Sequence, residues 1–307
     1  MELKNWTIKE IPNLKGKTII VTGGNSGLGY EAVKALARKN ATVIMACRSV
    51  EKGEIARKQI VDITSKSHIV VMELDLTDLN SIRSFVKKFK ENHTQLDVLI
   101  NNAGIMMVPY GLTNDGFEKQ IGTNHLGHYA LTGLLLDVLK VTPKSRVVNV
   151  SSIAHKQGVM NYDNLLYDNG VGYSPMKAYG RSKLSNLLFS YELQRYFEAN
   201  KIDCISVAAH PGVSDTNLFA HAASKWVMSL LRPLFLFMVQ PAAMGALPEL
   251  RASVDTTVKG GEYYGPDGKR EMKGFPVLVA STPASHDKES ARKLWEISEK
   301  LTKVVYN

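Results

Sequence analysis

A chain of 307 residues, 44% hydrophobic and 22% charged, has the composition of a packed globule and excludes collagen-like or long disordered architectures. Its length fits one α/β unit. The formal charge of +9 comes from Lys and Arg residues spread among acidic neighbours, as in Glu51-Lys52-Gly53-Glu54. Without a basic stripe on a recognisable module, nucleic-acid binding is not expected; an anionic small ligand is the milder implication. Cys47 and Cys204 sit in strand-like runs and read as core hydrophobes, so no disulfide framework is indicated. The start Met1-Glu2-Leu3-Lys4-Asn5-Trp6 has no apolar signal region, and a cytoplasmic location is the expectation.

In chain order, strands are predicted at 18–22, 42–46, 69–74, 98–101, 146–150, 202–208 and 277–280, where β-branched runs are bounded by turn formers. Helical periodicity fills the gaps at 26–39, 50–64, 79–91, 117–140, 177–199 and 241–253, with a last amphipathic segment at 288–303. Continuous apolar strands alternating with helices predict an α/β fold: a single-domain, Rossmann-type, doubly wound parallel sheet of about seven strands with helices on both faces. Residues 1–14 then form an N-terminal extension, 214–240 a substrate lid and 284–307 a C-terminal helix. The apolar stretch Trp226 to Val239 is too short for the ~20 residues of a membrane span and contains Arg232 and Pro233. It reads as a packed flap, an apolar cover over substrate, or a surface touching lipid.

Ligands of open α/β sheets bind beyond the carboxyl ends of the strands. Directly after the first strand stands Thr22-Gly23-Gly24-Asn25-Ser26-Gly27-Leu28-Gly29, followed by a helical run. Glycines permit a tight turn and close approach of a pyrophosphate, and the helix start offers unpaired N–H groups, so Gly23, Asn25, Ser26, Gly27, Leu28 and Gly29 are predicted to bind a dinucleotide. Strand two ends on Cys47-Arg48, with no acid there to take the adenine ribose hydroxyls. Arg48 instead suits a ribose 2′-phosphate, and Lys52 stands nearby; the bland alternative is a solvated surface charge.

Tyr179 and Lys183, four apart on a helical pattern, share one face. A phenol of pKa about 10 ionises reluctantly, but a neighbouring ammonium favours the phenolate, which makes Tyr179 a candidate general acid and base. Ser152 ends strand five, where its hydroxyl would steady a developing oxyanion; Ser151 is the fallback. His125, His128, His155 and His210 lack a carboxylate or Cys at ligand spacing, so they read as structural and no metal is expected.

The spacing T-G-x-x-x-G-x-G, with Asn101-Asn102-Ala103-Gly104, Asn124, Ser152, Tyr179-x-x-x-Lys183 and Pro211-Gly212 in this order, resembles the short-chain dehydrogenase/reductase family. Ala46-Cys47-Arg48, Asn124-His125-Leu126-Gly127-His128 and a long separation of Ser152 from Tyr179 resemble its retinol dehydrogenase-like and WW-domain-containing oxidoreductase-like branch. The resemblance implies an NADP(H) cofactor and a catalytic set Asn124, Ser152, Tyr179 and Lys183, with Asn124 near a proton-relay water or simply binding backbone. It further implies that Asp75 and Leu76 line the adenine, Asp75 having helix capping as its alternative. Asn102, Ala103 and Gly104 would border the adenine ribose, and Pro211, Gly212, Val213 and Thr216 the nicotinamide. The expected reaction moves a hydride between nicotinamide and a carbonyl or alcohol of a bulky apolar small molecule. A catalytically silent NADP(H) sensor and a ring C=C reductase like protochlorophyllide reductase are the rivals. Family tetramers pack through the helix bearing Tyr179, and the insertion around Gly158 to Gly172 leaves monomer or homodimer open.

Overall fold

A computed structural model of the protein describes residues 5–64, 68–214 and 239–307. Its frame is an eight-stranded sheet: β1 (Thr18–Thr22), β2 (Thr42–Cys47), β3 (His68–Glu73), β4 (Val98–Asn101), β5 (Ser145–Val150), β6 (Cys204–Ala209), β7 (Tyr263–Pro266) and β8 (Pro276–Leu278). The spatial order is β3-β2-β1-β4-β5-β6-β7-β8, with every pairing parallel except β7 with β8. Ile19 lies opposite Val43 on one side and Val98 on the other, so β1 is flanked by β2 and β4 and the winding reverses there. That reversal opens a crevice at the strand ends.

Strands such as Thr18–Thr22 (TIIVT) are apolar on both faces because both faces are covered. Alternate residues feed opposite layers. Ile19 and Val21 pack toward α1 (Gly27–Arg38) and α2 (Val50–Ile63), among Val33, Leu36 and Ile60. Ile20 faces α3 (Leu79–Asn92) and the buried rings of Phe85, Phe89, Tyr129 and Phe189. Residues 5–14 are no loose tail: Trp6, Ile11 and Leu14 are buried in the first layer.

Two expectations change in detail. The sheet gains β7, whose sequence YYGP has too few residues and too much Gly and Pro to announce a strand, yet it pairs with β6. The helix expected at 117–140 is broken into α4 (Lys119–Ile121), a π-helical turn Gly122–Leu126, α5 (Gly127–Leu134) and α6 (Leu136–Val141). The long helix α7 (Pro175–Ala199) carries the Tyr and Lys pair and is covered by the C-terminal helix Lys288–Thr302, with Leu184 and Leu188 against Ala291 and Leu294. Of the expected lid 214–240, residues 215–238 and with them Thr216 lie outside the described residues. Its two ends meet in a parallel bridge between Ser214 and Gln240.

Candidate active site

A cleft of about 930 Å³ opens at the carboxyl ends of the strands, a size that accommodates a large ligand. The sequence-predicted residues Gly23, Asn25, Ser26, Gly27, Leu28, Arg48, Asp75, Leu76, Asn102, Ala103, Gly104, Tyr179, Lys183 and Pro211 all line it. Another hollow, about 310 Å³ between α7 and the C-terminal helix, holds Glu192, Arg195 and Trp295 and lies away from the strand ends.

The floor of the cleft is the glycine turn. Gly23 (φ +67°) and Gly27 (φ +54°) occupy the left-handed region, which a side chain would strain. A Cβ on Gly29 would come within 2.4 Å of the Gly23 carbonyl oxygen. Only glycine lets α1 start so close to the strand. Ser26, at the N-cap of α1, makes no capping bond and no acid stands in the first turn, so the helix start keeps donors for an anion. The turn is braced from below: Asn102 Nδ2 donates to Thr22 O (2.7 Å), and the backbone N–H groups of Asn102 and Ala103 both donate to Thr22 Oγ1 (2.9 Å each). The Thr22 hydroxyl donates to His128 Nε2 at 2.9 Å, since His128 Nδ1 must donate to the Asn124 carbonyl at 3.1 Å. Burial holds His128 down to about 4, so it stays neutral in that tautomer.

Along the cleft, Arg48 follows β2 and Lys52 stands on the first turn of α2. Asp75 does not cap α3, because Asp78 takes that role by accepting from Asn80 N and Ser81 N. Asp75 uses Oδ1 to hold Thr77 N (2.9 Å) and Thr77 Oγ1 (2.7 Å).

At the far end, Lys183 is buried and donates from Nζ to the Val150 carbonyl at 2.9 Å, with its ammonium 5.8 Å from the centre of the Tyr179 ring. Burial pushes the Tyr179 phenol up to about 12, while a side-chain hydrogen bond with Ser152 works the other way. Burial likewise brings Lys183 down to about 8, opposed by the negative charge of Glu249. The two serines differ in partners: Ser151 lines the cleft and its Oγ donates to Lys183 O (2.8 Å), while Ser152, half-buried and outside the lining, has a side-chain hydrogen bond with the phenol.

Asn124, at the centre of the π-helical turn, is fully committed. Its Oδ1 accepts from Ile105 N (2.8 Å), and its Nδ2 donates to Ile105 O (2.9 Å) and Ser182 Oγ (2.9 Å). The side chain therefore ties the segment after β4 to α7, which is the backbone-binding role. A π turn widens the helix where its carbonyls are needed elsewhere, a device frequent at functional sites. Gly212 and Val213 sit beside the cleft rather than in its lining. The Gly212 N–H donates to His210 Nδ1 (3.2 Å) and the Val213 N–H to Met272 O (2.7 Å).

The insertion does not line the cleft; it supports the wall that does. Arg181 stacks 4.0 Å from the Tyr167 ring and donates to the carbonyls of Val159, Asn164 and Leu165. Tyr173 donates to Val108 O (2.7 Å) and receives Gln120 Nε2 (2.9 Å), fixing the loop that carries Met106, Val108 and Tyr110. The four candidate histidines have protein partners: His125 donates to Ser298 Oγ, and His155 donates to Ser152 O and accepts from Thr282 N.

Residues 17–165 match the short chain dehydrogenase family. The chain is 39% identical over 293 residues to retinol dehydrogenase 13 of Homo sapiens, covering 94% of this chain and 85% of that one. It is 44% identical over 289 residues to retinol dehydrogenase 11 of Mus musculus, covering 93% and 86%. This chain is a retinol dehydrogenase-like member of the short-chain dehydrogenase family. A solved, uncharacterized protein from Mycobacterium paratuberculosis shares the fold with a TM-score of 0.82 and 41% identity, over 99% of each chain. As a family member the protein is a hydride-transfer oxidoreductase acting on alcohol or carbonyl carbon. No helix among the described residues is long and apolar enough to cross a membrane.

Proposed function

We propose that the protein is an NADP(H)-dependent reductase or dehydrogenase of a bulky apolar carbonyl or alcohol, with Tyr179 as acid and base. The observation that carries this is the meeting of the buried Tyr179 and Lys183, with Ser152 hydrogen-bonded to the phenol, at one end of a cleft whose other end is a glycine cradle. The cradle fits a dinucleotide: Gly23 and Gly27 line it in left-handed conformations, Gly29 lets α1 start against the Gly23 carbonyl, and the uncapped start of α1 suits a pyrophosphate. Gly23, Asn25, Ser26, Gly27, Leu28 and Gly29 would hold that group, Asp75 and Leu76 the adenine, and Asn102, Ala103 and Gly104 its ribose. Pro211, Gly212, Val213 and Thr216 would flank the nicotinamide. Arg48 and Lys52 at the adenine end, with no acid at the close of β2, support the 2′-phosphorylated form.

When bound, the reduced nicotinamide supplies the hydride. The chain supplies the rest. Ser152 donates to the carbonyl oxygen and holds it in line; Tyr179 gives its phenolic proton to that oxygen as negative charge develops. Lys183, with one N–H spent on Val150 O, has two donors left for the nicotinamide ribose and for lowering the cost of phenolate. Asn124 keeps the segment after β4 and the N-terminal part of α7 in register, so the proton donor does not drift.

Met106, Val108, Pro109, Tyr110 and Leu112 make part of the cleft wall apolar, which supports a lipophilic substrate and accords with relatives named for retinol. The reading of 1–307 as one NAD(P)-binding domain belongs to the same proposal. The C-terminal helix packs on α7, the helix through which family tetramers assemble, and this supports a monomer or homodimer. Two free, buried cysteines suit a reducing cytoplasm. The test is direct: NADPH oxidation with a panel of aldehydes, ketones and retinal, where the wild type turns over and Tyr179→Phe binds NADPH without turnover. A Tyr179→Phe enzyme with full activity would remove the mechanism.

A further inference from the structure

A polar cluster behind the Pro211 turn takes no part in the chemistry above. His210 is fully buried at the end of β6, and its ring packs over β7 so closely that a Cβ on Gly265 would stand 2.0 Å from Nε2. Its Nδ1 accepts from the Gly212 N–H, so the ring proton resides on Nε2. That nitrogen faces Glu271 Oε2 at 3.1 Å, off the ideal donor line, so neither atom has another well-directed hydrogen bond. The other carboxylate oxygen receives Lys156 Nζ at 3.0 Å, and Lys156 belongs to the short 3-10 turn Ile153–Gln157 that follows Ser152. Glu271 itself has a left-handed backbone (φ +58°), as does Arg270 (φ +56°), a conformation that residues with side chains keep only when their surroundings impose it. The next residue, Met272, accepts the Val213 N–H and would be struck by a Cβ on Gly212.

We propose that His210, Glu271 and Lys156 form a clamp that positions the Pro211–Gly212–Val213 turn relative to the Ser152 turn, and so sets where the nicotinamide half of the cofactor sits. The clamp rests on the cofactor reading above. It joins the ends of β5 and β6 through the loop between β7 and β8, three segments that no local sequence brings together. Glu271 is held down to about 2 by His210 first and Lys156 after it, so the carboxylate keeps its charge and His210 keeps its orientation. Burial keeps His210 neutral, and the other groups facing it are the Tyr263 ring at 5.2 Å, His155 and Lys156. Charging His210 would put a proton on Nδ1 and break the bond to Gly212. All three are positioning residues; none is required to touch the reacting atoms.

The test compares two ligands on the full chain by calorimetry: NADPH, which spans the cleft, and adenosine 2′,5′-bisphosphate, which occupies only its adenine half. For Glu271→Gln and His210→Ala the clamp predicts affinity for NADPH reduced about tenfold, the value of a lost buried hydrogen bond, with the bisphosphate within about twofold of wild type. His210→Asn, which keeps an acceptor where Nδ1 stands, should restore most of the NADPH affinity. An equal loss for both ligands, no loss for either variant, or no rescue by asparagine would overturn the clamp. Should His210→Ala fail to fold, Glu271→Gln carries the same comparison. A wild type that binds NADPH no more tightly than the bisphosphate would remove the nicotinamide reading itself, an outcome separate from clamp failure in the variants.

Discussion

The half of the cleft beneath β1, β2 and β3 and the half beneath β5, β6 and β7 are built on different principles. In the first, backbone does the work: glycines in left-handed turns, an uncapped helix start and donors from adjacent residues make a cradle within a short span of chain. In the second, side chains do it. Tyr179, Lys183 and Ser152 come from two segments, and their neighbours His210, Glu271 and Lys156 from three, each held by contacts distant in sequence. The contrast teaches that affinity for the cofactor and speed of the reaction are separable in this protein. Changes in the cradle should act on binding of the adenine half of the cofactor, changes at Tyr179 and Ser152 on turnover, and changes at His210 or Glu271 on binding of the nicotinamide half.

The sharpest way to break that separation is Tyr179→Phe, which removes the proton donor and leaves the ring's packing. Turnover is expected to fall about 10³-fold with NADPH affinity within a factor of about two, read by steady-state kinetics and fluorescence titration. Ser152→Ala should cost about 10²-fold in kcat with little change in KM for the cofactor; a KM effect alone would assign Ser152 to binding. Arg48→Glu should do the opposite, raising KM for NADPH about 30-fold, sparing kcat, and improving the ratio for NADH over NADPH. If Arg48→Glu leaves that ratio unchanged, the arginine is a surface charge.

The smallest effect expected is on pH. Lys183 is held down to about 8 by burial, so its ammonium is present below that pH and lost above it. For carbonyl reduction, kcat/KM of the free enzyme should therefore be level from pH 6 to 7.5 and then decline through about pH 8, while Tyr179, at about 12, stays protonated across this range. A profile level to pH 10 would show that the charge on Lys183 does not limit the step.

Parts of the site were legible because they are local. The glycine turn, Arg48, and the Tyr179 and Lys183 spacing each follow from one element, and repeating helix and strand periods place them at strand ends. Ser152 over Ser151 is a family inference, and the partners of the two hydroxyls accord with it. The helix expected at 117–140 is not continuous, since a π turn at Gly122–Leu126 keeps helical periodicity while shifting the backbone bonds. Strand β7 went unseen, since its four residues carry no alternation and gain their pairing only from β6 and β8. Nothing near Glu271 marks it: in the run Lys269-Arg270-Glu271 the carboxylate reaches the buried His210 only because β8 turns back antiparallel on β7.

By itself the sequence determined the class of fold, the glycine turn and the candidate acid–base pair, because glycine conformations, apolar periods and a four-residue helical spacing are properties of short stretches of chain. Tertiary structure alone decided which serine meets the phenol, that Asn124 spends its side chain on Ile105 and Ser182, and that the insertion braces the cleft wall instead of lining it. Those outcomes depend on burial and on hydrogen bonds between segments far apart in sequence, and such bonds form only once the sheet has brought the strand ends together.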